Sequence, residues 1–358
     1  MGRAIDKLLG RRAKTGRKLN TGGAVKTALV ISGGGPKGAF AVGVIKNVYE
    51  RFRESGWFSI VGGSSTGALI ASVAAVLGGP RDFAQEALKT LIECYTEKKT
   101  ADILKKNGVL DYLHRRNSLN GSEPLRNLLE ERFKPEWFSW LQSEDAPECY
   151  VVYTDYRTGG KVYVSPKDKR VDRERYIEAT LASASVPILM EPTMIDGNAC
   201  FDGGVRDVLP MERAIDLGAE RILPIFLDPE KMEETETDYR NIRDVALRTV
   251  MICLDETVRN DYLQAKYLQK ATAFRKKLEL RLSGSRHAQK ILAELCESSE
   301  FSELFGKGKQ VVDILEGVRP DETMTNDMLV FDPESMRRWL HLGEKKADEI
   351  IVADPFSV

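Results

Sequence analysis

Three short motifs in this chain carry residue types that could do covalent chemistry together. Gly63-Ser64-Ser65-Thr66-Gly67 sets a serine between glycines two positions away on each side. Asp202-Gly203-Gly204 sets a carboxylate ahead of two glycines. Gly33-Gly34-Gly35-Pro36-Lys37-Gly38 is a glycine run able to turn several main-chain amides toward one point. A hydroxyl, a carboxylate and converging amides are the parts of an acyl hydrolase, with a nucleophile, a proton acceptor and donors for the oxyanion of a tetrahedral intermediate. Ser65 is the candidate nucleophile and Asp202 the candidate general base. Gly33, Gly34, Gly35 and Lys37 are the candidate oxyanion hole, because Pro36 has no N–H to give. Gly38, Gly63, Gly67, Gly203 and Gly204 complete the motifs. Ser64 competes with Ser65 by adjacency but lacks glycines at both flanking positions.

Histidine is a poor candidate for the base. Of the three in the chain, His114 and His287 lie among charged residues, His341 reads as a helical residue, and none sits in a catalytic signature. A Ser–Asp pair needs no histidine, but free aspartate, with a pKa of about 3.9, is a weak base. Burial would have to raise it, and a direct hydrogen bond would have to carry the proton.

Each motif follows an apolar run. Thr27–Ser32 reads as a buried parallel strand, and Ala39–Phe52 as a helix with Phe40, Val44, Ile45, Val48 and Phe52 on one face. Ser59–Val61 is a second strand, followed by a helix apolar nearly all round and stopped by Gly78-Gly79-Pro80. In a strand–turn–helix unit of this kind, Gly63 and Gly67 leave room for the close approach of strand and helix. Residues 81–148 read as mostly helical. Tyr150–Thr154 and Lys161–Val164 form a hairpin around Thr158-Gly159-Gly160, and Asp196-Gly197 marks a tight turn before Asp202. Met211–Leu217 is a helix and Arg221–Leu227 a strand. From about Asp238 the pattern is helical to Leu282, with Leu247, Val250, Leu254 and Val258 on one face. Ser283-Gly284-Ser285 breaks it, residues 286–316 read as further helix, and Glu334–Ile351 as the last.

The fold expected is α/β, a central, mostly parallel sheet with helices on both faces and helical C-terminal additions. The expected division is a basic, flexible tail at 1–26, a catalytic core at 27–230, and a mainly helical part packed on it at 231–358. The tail has eight Lys or Arg against Asp6 and few apolar residues, so it reads as solvated, with a tether to anionic membrane as the sharper alternative. The net charge of -1 argues against nucleic acid as a partner. Five scattered cysteines without a Cys-x-x-Cys argue against disulfides and zinc and suit a reducing, cytoplasmic setting, with peripheral membrane contact through the tail. No stretch reaches the ~18 apolar residues of a membrane span.

Taken in order, the three motifs resemble the patatin-like phospholipase family, specifically its bacterial-type acyl hydrolases. That pattern is a Gly-Gly-Gly-x-Lys/Arg-Gly loop, a Gly-x-Ser-x-Gly elbow and an Asp-Gly-Gly/Ala aspartate. Ala182-Ser183-Ala184-Ser185-Val186-Pro187 is similar to the family as well, and Phe331–Met336 loosely so. The resemblance covers residues 27–230. It implies a three-layer fold, a Ser65–Asp202 dyad, an oxyanion held by Gly34 and Gly35, a (phospho)lipid ester substrate, and neither metal nor cofactor. Thr66 departs from the alanine often found after the nucleophile and is bulkier, which bears on the acyl preference. Two other readings compete. One is a lipid-binding scaffold of the same fold without catalysis. The other is a dinucleotide-binding oxidoreductase, since Gly33-x-Gly35-x-x-Gly38 fits that fingerprint with Glu50 and Glu54 nearby.

Overall fold

Thr27–Ile31, buried along its whole length, is β1 at the centre of the sheet. The structure is a computed structural model and describes residues 25–107, 118–230, 242–298, 312–325 and 327–357. Most of the basic tail and His114 lie outside the described residues. Lys26, at the end of that tail, is anchored: its Nζ donates to Leu217 O at 2.7 Å.

The other strands of the main sheet are β2 (Ile60–Ser64), β3 (Glu148–Asp155), β4 (Lys161–Val164), β5 (Thr193–Ile195), β6 (Asn198–Asp202), β7 (Arg221–Ile225) and β8 (Asp313–Ile314). They run in the order β8-β7-β1-β2-β3-β6-β5, with β4 also on β3. The pairs from β8 to β3 are parallel, and β3–β4, β3–β6 and β6–β5 are antiparallel. The expected turn at Asp196-Gly197 joins β5 to β6 with both residues at positive φ, 51° and 76°, as a two-residue hairpin turn of the primed type requires.

Alternation along β1 sorts the layers. Leu29 and Ile31 face a core shared with α1 (Gly38–Phe52), α2 (Thr66–Ala74), α3 (Arg81–Thr96) and α5 (Arg173–Ser183), while α4 (Glu123–Arg132) closes the side of that layer. Ala28 and Val30 face a second core with Met211, Ala214 and Ile215, which is covered by α6 (Ile242–Leu282) through Ala265. α6 is followed by α7 (Arg286–Glu297) and, later, α8 (Pro333–Ile350). Helices therefore cover both faces, as expected. Asp172 caps α5 by accepting from Arg175 N at 2.8 Å, and Asp332 caps α8 by accepting from Ser335 N at 2.9 Å. α8 is fastened to α1 by Lys46–Glu344 at 2.6 Å and by Asn47 Nδ2 donating to Asp348 at 2.8 Å.

The expectation of helix throughout 286–316 fails at its end. Asp313–Ile314 forms β8, in parallel register with Arg221–Ile222 of β7. The run Val312, Ile314 and Val318 is buried against the sheet edge, and pairing with β7, remote in sequence, decides its conformation. Among the described residues no helix is long and apolar enough to cross a membrane.

β3 brings two strands end to end. Val151–Thr154 pair with β4 on one edge. On the other edge, Glu148–Val152 pair with β2, and Tyr153–Asp155 pair with β6. β6 thus continues the line of β2 beyond its carboxyl end. Ser64 is opposite Val152, and Asp202 is opposite Tyr153, the very next residue.

Candidate active site

Ser65 occupies the turn from β2 into α2 at φ 55°, ψ −128°, a conformation that strains any residue with a Cβ. The flanking glycines make the turn possible. A Cβ on Gly63 would lie 2.3 Å from Gly67 O, and one on Gly67 would lie 2.3 Å from Ile31 O. Strand and helix are too close for side chains at either position. The turn lifts Ser65 out of the sheet, while Ser64 remains fully buried in β2.

The strained turn is held from a third element. Ser65 N–H donates to Ser183 Oγ at 3.0 Å, at the end of α5. Two residues on, Ser185 O accepts from Asp202 N–H at 2.9 Å. Ser185 Oγ is itself fixed, donating to Leu181 O at 2.9 Å with Thr193 Oγ1 at 3.1 Å. Thr154 Oγ1 donates to Asp202 O at 3.0 Å. Through these bonds the Ala182–Pro187 stretch, whose task the motifs alone do not reveal, ties the serine turn to the aspartate strand.

Asp202 is 2% exposed. Oδ1 accepts from Gly204 N–H at 2.7 Å, and Oδ2 makes no aligned hydrogen bond. Burial pushes its pKa up to about 7, opposed by the Ser65 hydroxyl beside it and by the Gly204 amide. The hydroxyl is therefore near enough to act on the carboxyl group, without closing a well-directed bond onto Oδ2. Loose hydrogen bonds of this kind are common in unliganded active sites and tighten around substrate.

The glycine loop packs directly against the elbow: a Cβ on Gly33 would lie 2.9 Å from Ser65 Cβ. Among the described residues the amides of Gly33, Gly34 and Gly35 donate to no acceptor. Lys37, expected as a further donor, has both its main-chain and its side-chain donors engaged. Its N–H bonds to Gly34 O at 3.3 Å, and its side chain, 2% exposed, pairs with Asp228 at 2.5 Å. Lys37 braces the loop from beneath.

Two cavities meet at Ser65. The first, of about 110 Å³, is apolar and lined by Leu69, Leu91, Leu125, Phe133, Ile177 and Phe331, among others. Thr66 lines it too, with Oγ1 hydrogen-bonded to Tyr95 OH at 2.5 Å, so the departure from alanine adds no unpaired hydroxyl. The second, of about 290 Å³, contains Gly33, Gly34, Asp202 and Gly204 and is walled by Arg248, Arg259 and Arg319 together with Asp228, Glu230 and Asp255.

The remaining sequence candidates lie elsewhere. His287 is exposed, and His341, 81% exposed, faces Glu344. Glu50 pairs with Lys46 on α1, and Glu54, 91% exposed, with Arg53. None of them lines either cavity.

A family model described as patatin-like phospholipase matches residues 29–215, more than half of the chain. Among solved structures, VipD from Legionella pneumophila is similar at 15% identity with a TM-score of 0.43, covering 96% of this chain and 72% of its own. The matched span begins in β1 and ends after the Asp202 motif, so it takes in the glycine loop, the elbow and the aspartate described above. The chain belongs to the patatin-like phospholipase family, a family of lipid acyl hydrolases.

Proposed function

We propose that this protein hydrolyses fatty-acyl esters through Ser65 and Asp202. Asp202 takes the proton of the Ser65 hydroxyl as Oγ attacks the acyl carbonyl carbon. The amides of Gly33, Gly34 and Gly35 stabilise the oxyanion of the tetrahedral intermediate; a donor of this kind contributes on the order of 3 kcal/mol to the barrier. The proton then passes from Asp202 to the departing alcohol, leaving an acyl ester on Ser65. Water, deprotonated by the same carboxylate, attacks the ester and frees the fatty acid. The apolar cavity takes the acyl chain, and the charged cavity receives the alcohol side of the ester.

The observation that carries this reading is the register of β3, whose successive residues Val152 and Tyr153 sit opposite Ser64 and Asp202. It sets a strained, outward-turned serine beside a buried carboxyl group poised near neutrality. The test is hydrolysis of a p-nitrophenyl fatty ester by the wild type, Ser65→Ala and Asp202→Asn, with circular dichroism to check folding. Both variants are expected to fold and to lose at least about 10⁴-fold in kcat. Retained activity in either would reject the pair.

A further inference from the structure

We propose that Arg319 and Arg248 form a subsite for the phosphodiester of a glycerophospholipid, on the leaving-group side of Ser65; this rests on the acyl-hydrolase reading. The charged residues of the wider cavity are Lys37, Asp202, Asp228, Glu230, Arg248, Asp255, Arg259 and Arg319. Two pairs cancel within it: Lys37 with Asp228 at 2.5 Å, and Arg259 with Asp255 at 3.2 Å. Asp202, with a pKa raised to about 7 by burial, is only partly ionised near neutrality. Arg248, Arg319 and Glu230 remain, and among the described residues neither guanidinium has a hydrogen bond or an ion pair. With Asp202 protonated the surplus is one positive charge, which matches a phosphodiester monoanion.

Arg319 is held in place for such a role. Its guanidinium lies 3.9 Å over the Phe226 ring and 5.8 Å from the centre of Tyr262. The two rings are themselves packed edge to face, with centroids 5.2 Å apart. The main chain beside it is pinned to the sheet, with Phe226 N–H donating to Val318 O at 2.9 Å and Val318 N–H to Pro224 O at 3.1 Å. Stacking leaves the in-plane N–H groups of the guanidinium free, and that fork fits two phosphate oxygens. Burial disfavours the Arg319 cation, while Glu230 favours it; a phosphate in the cavity would relieve the same desolvation cost. Arg248 stands on the face of α6 that carries Met251, Asp255, Val258 and Tyr262 over the cavity. The acyl chain belongs in the apolar cavity, so the group bonded through the ester oxygen enters this one.

The test uses the full chain carrying Ser65→Ala, so that binding is read without turnover. The probes are dihexanoyl-phosphatidylglycerol below its micellar concentration, dihexanoylglycerol, and inorganic phosphate alone, titrated by calorimetry. The phospholipid is expected to bind more tightly than the neutral lipid, and adding Arg319→Gln should weaken the phospholipid about tenfold or more. Arg319→Lys should recover part of that loss, and Arg248→Gln replaces Arg319→Gln if the latter does not fold. Equal binding of both lipids, or a phospholipid affinity indifferent to both arginines, would overturn the proposal. Inorganic phosphate binding with the Arg319 dependence that the lipid lacks would assign the site to a free anion and overturn the lipid assignment. If folded wild-type protein hydrolyses no ester, the acyl-hydrolase reading fails while the binding comparison still decides the arginine site.

Discussion

The two cavities that share Ser65 are built from different parts of the chain. The apolar one is walled mainly by α2, α3, α4 and α5, with Met328, Leu329 and Phe331 reaching it from outside residues 29–215. The charged one takes its distinctive residues from Phe226 onward: the end of β7, one face of α6, and Arg319. The cavity proposed for the acyl chain thus lies mostly within the region that matches the family, and the cavity proposed for the alcohol side draws its arginines from outside it. On the proposed reading, chemistry and chain binding belong to the layered core, and head-group choice belongs to its cover.

The largest effect concerns the carboxyl group that lines the charged cavity and not the apolar one. The folded-state pKa of Asp202 lies above the unfolded value, so the native protein holds that proton more tightly. The resulting stabilisation is whole below about pH 4 and is lost as pH rises through about 7, up to roughly 4 kcal/mol in all. Asp202→Asn keeps the neutral form at every pH. It should match the wild type in Tm near pH 4 and exceed it clearly at pH 8; scans at the two pH values check this, and parallel Tm curves would contradict it.

Next comes selectivity. Leu69, one turn after Ser65, lines only the apolar cavity. Leu69→Trp should lower kcat/KM for long-chain esters about 100-fold relative to short-chain esters, by filling that cavity near its mouth. An equal loss for all chain lengths would place the acyl group elsewhere.

The smaller effects probe the frame. Ser183→Ala removes the acceptor for Ser65 N–H and should cost about 1–3 kcal/mol in denaturant unfolding. Ser65→Gly should be more stable than Ser65→Ala by about 1 kcal/mol, because only the alanine keeps the strain at φ 55°.

The elbow was legible in the sequence because its constraint is local: Gly63 and Gly67 state in composition that a strand and a helix nearly touch. Thr27–Ser32 was legible as an apolar run ending in glycines, and Ala39–Phe52 from its helical period. The proposed pairing of Ser65 with Asp202 was readable from the motif residues and the lack of a suitable histidine, but what brings the two together, the register of β3 against both β2 and β6, was not. The same holds for Ser183, an ordinary serine in an alanine-rich stretch until the fold sets it under the elbow. β8 and Arg319 were missed because their conformation and surroundings come from β7, Phe226 and Tyr262. Nor did the sequence reveal that the Lys37 amide closes a turn onto Gly34 O while Asp228 pairs with its side chain.

The most direct test of the central claim is the rate at which a fluorophosphonate labels Ser65 as a function of pH, with the adduct located by peptide mass spectrometry. Labelling should fall on Ser65 alone, accelerate as pH rises through about 7 as Asp202 ionises, and be lost in Asp202→Asn. An adduct on another residue, or a Ser65 rate that ignores both pH and Asp202, would contradict it.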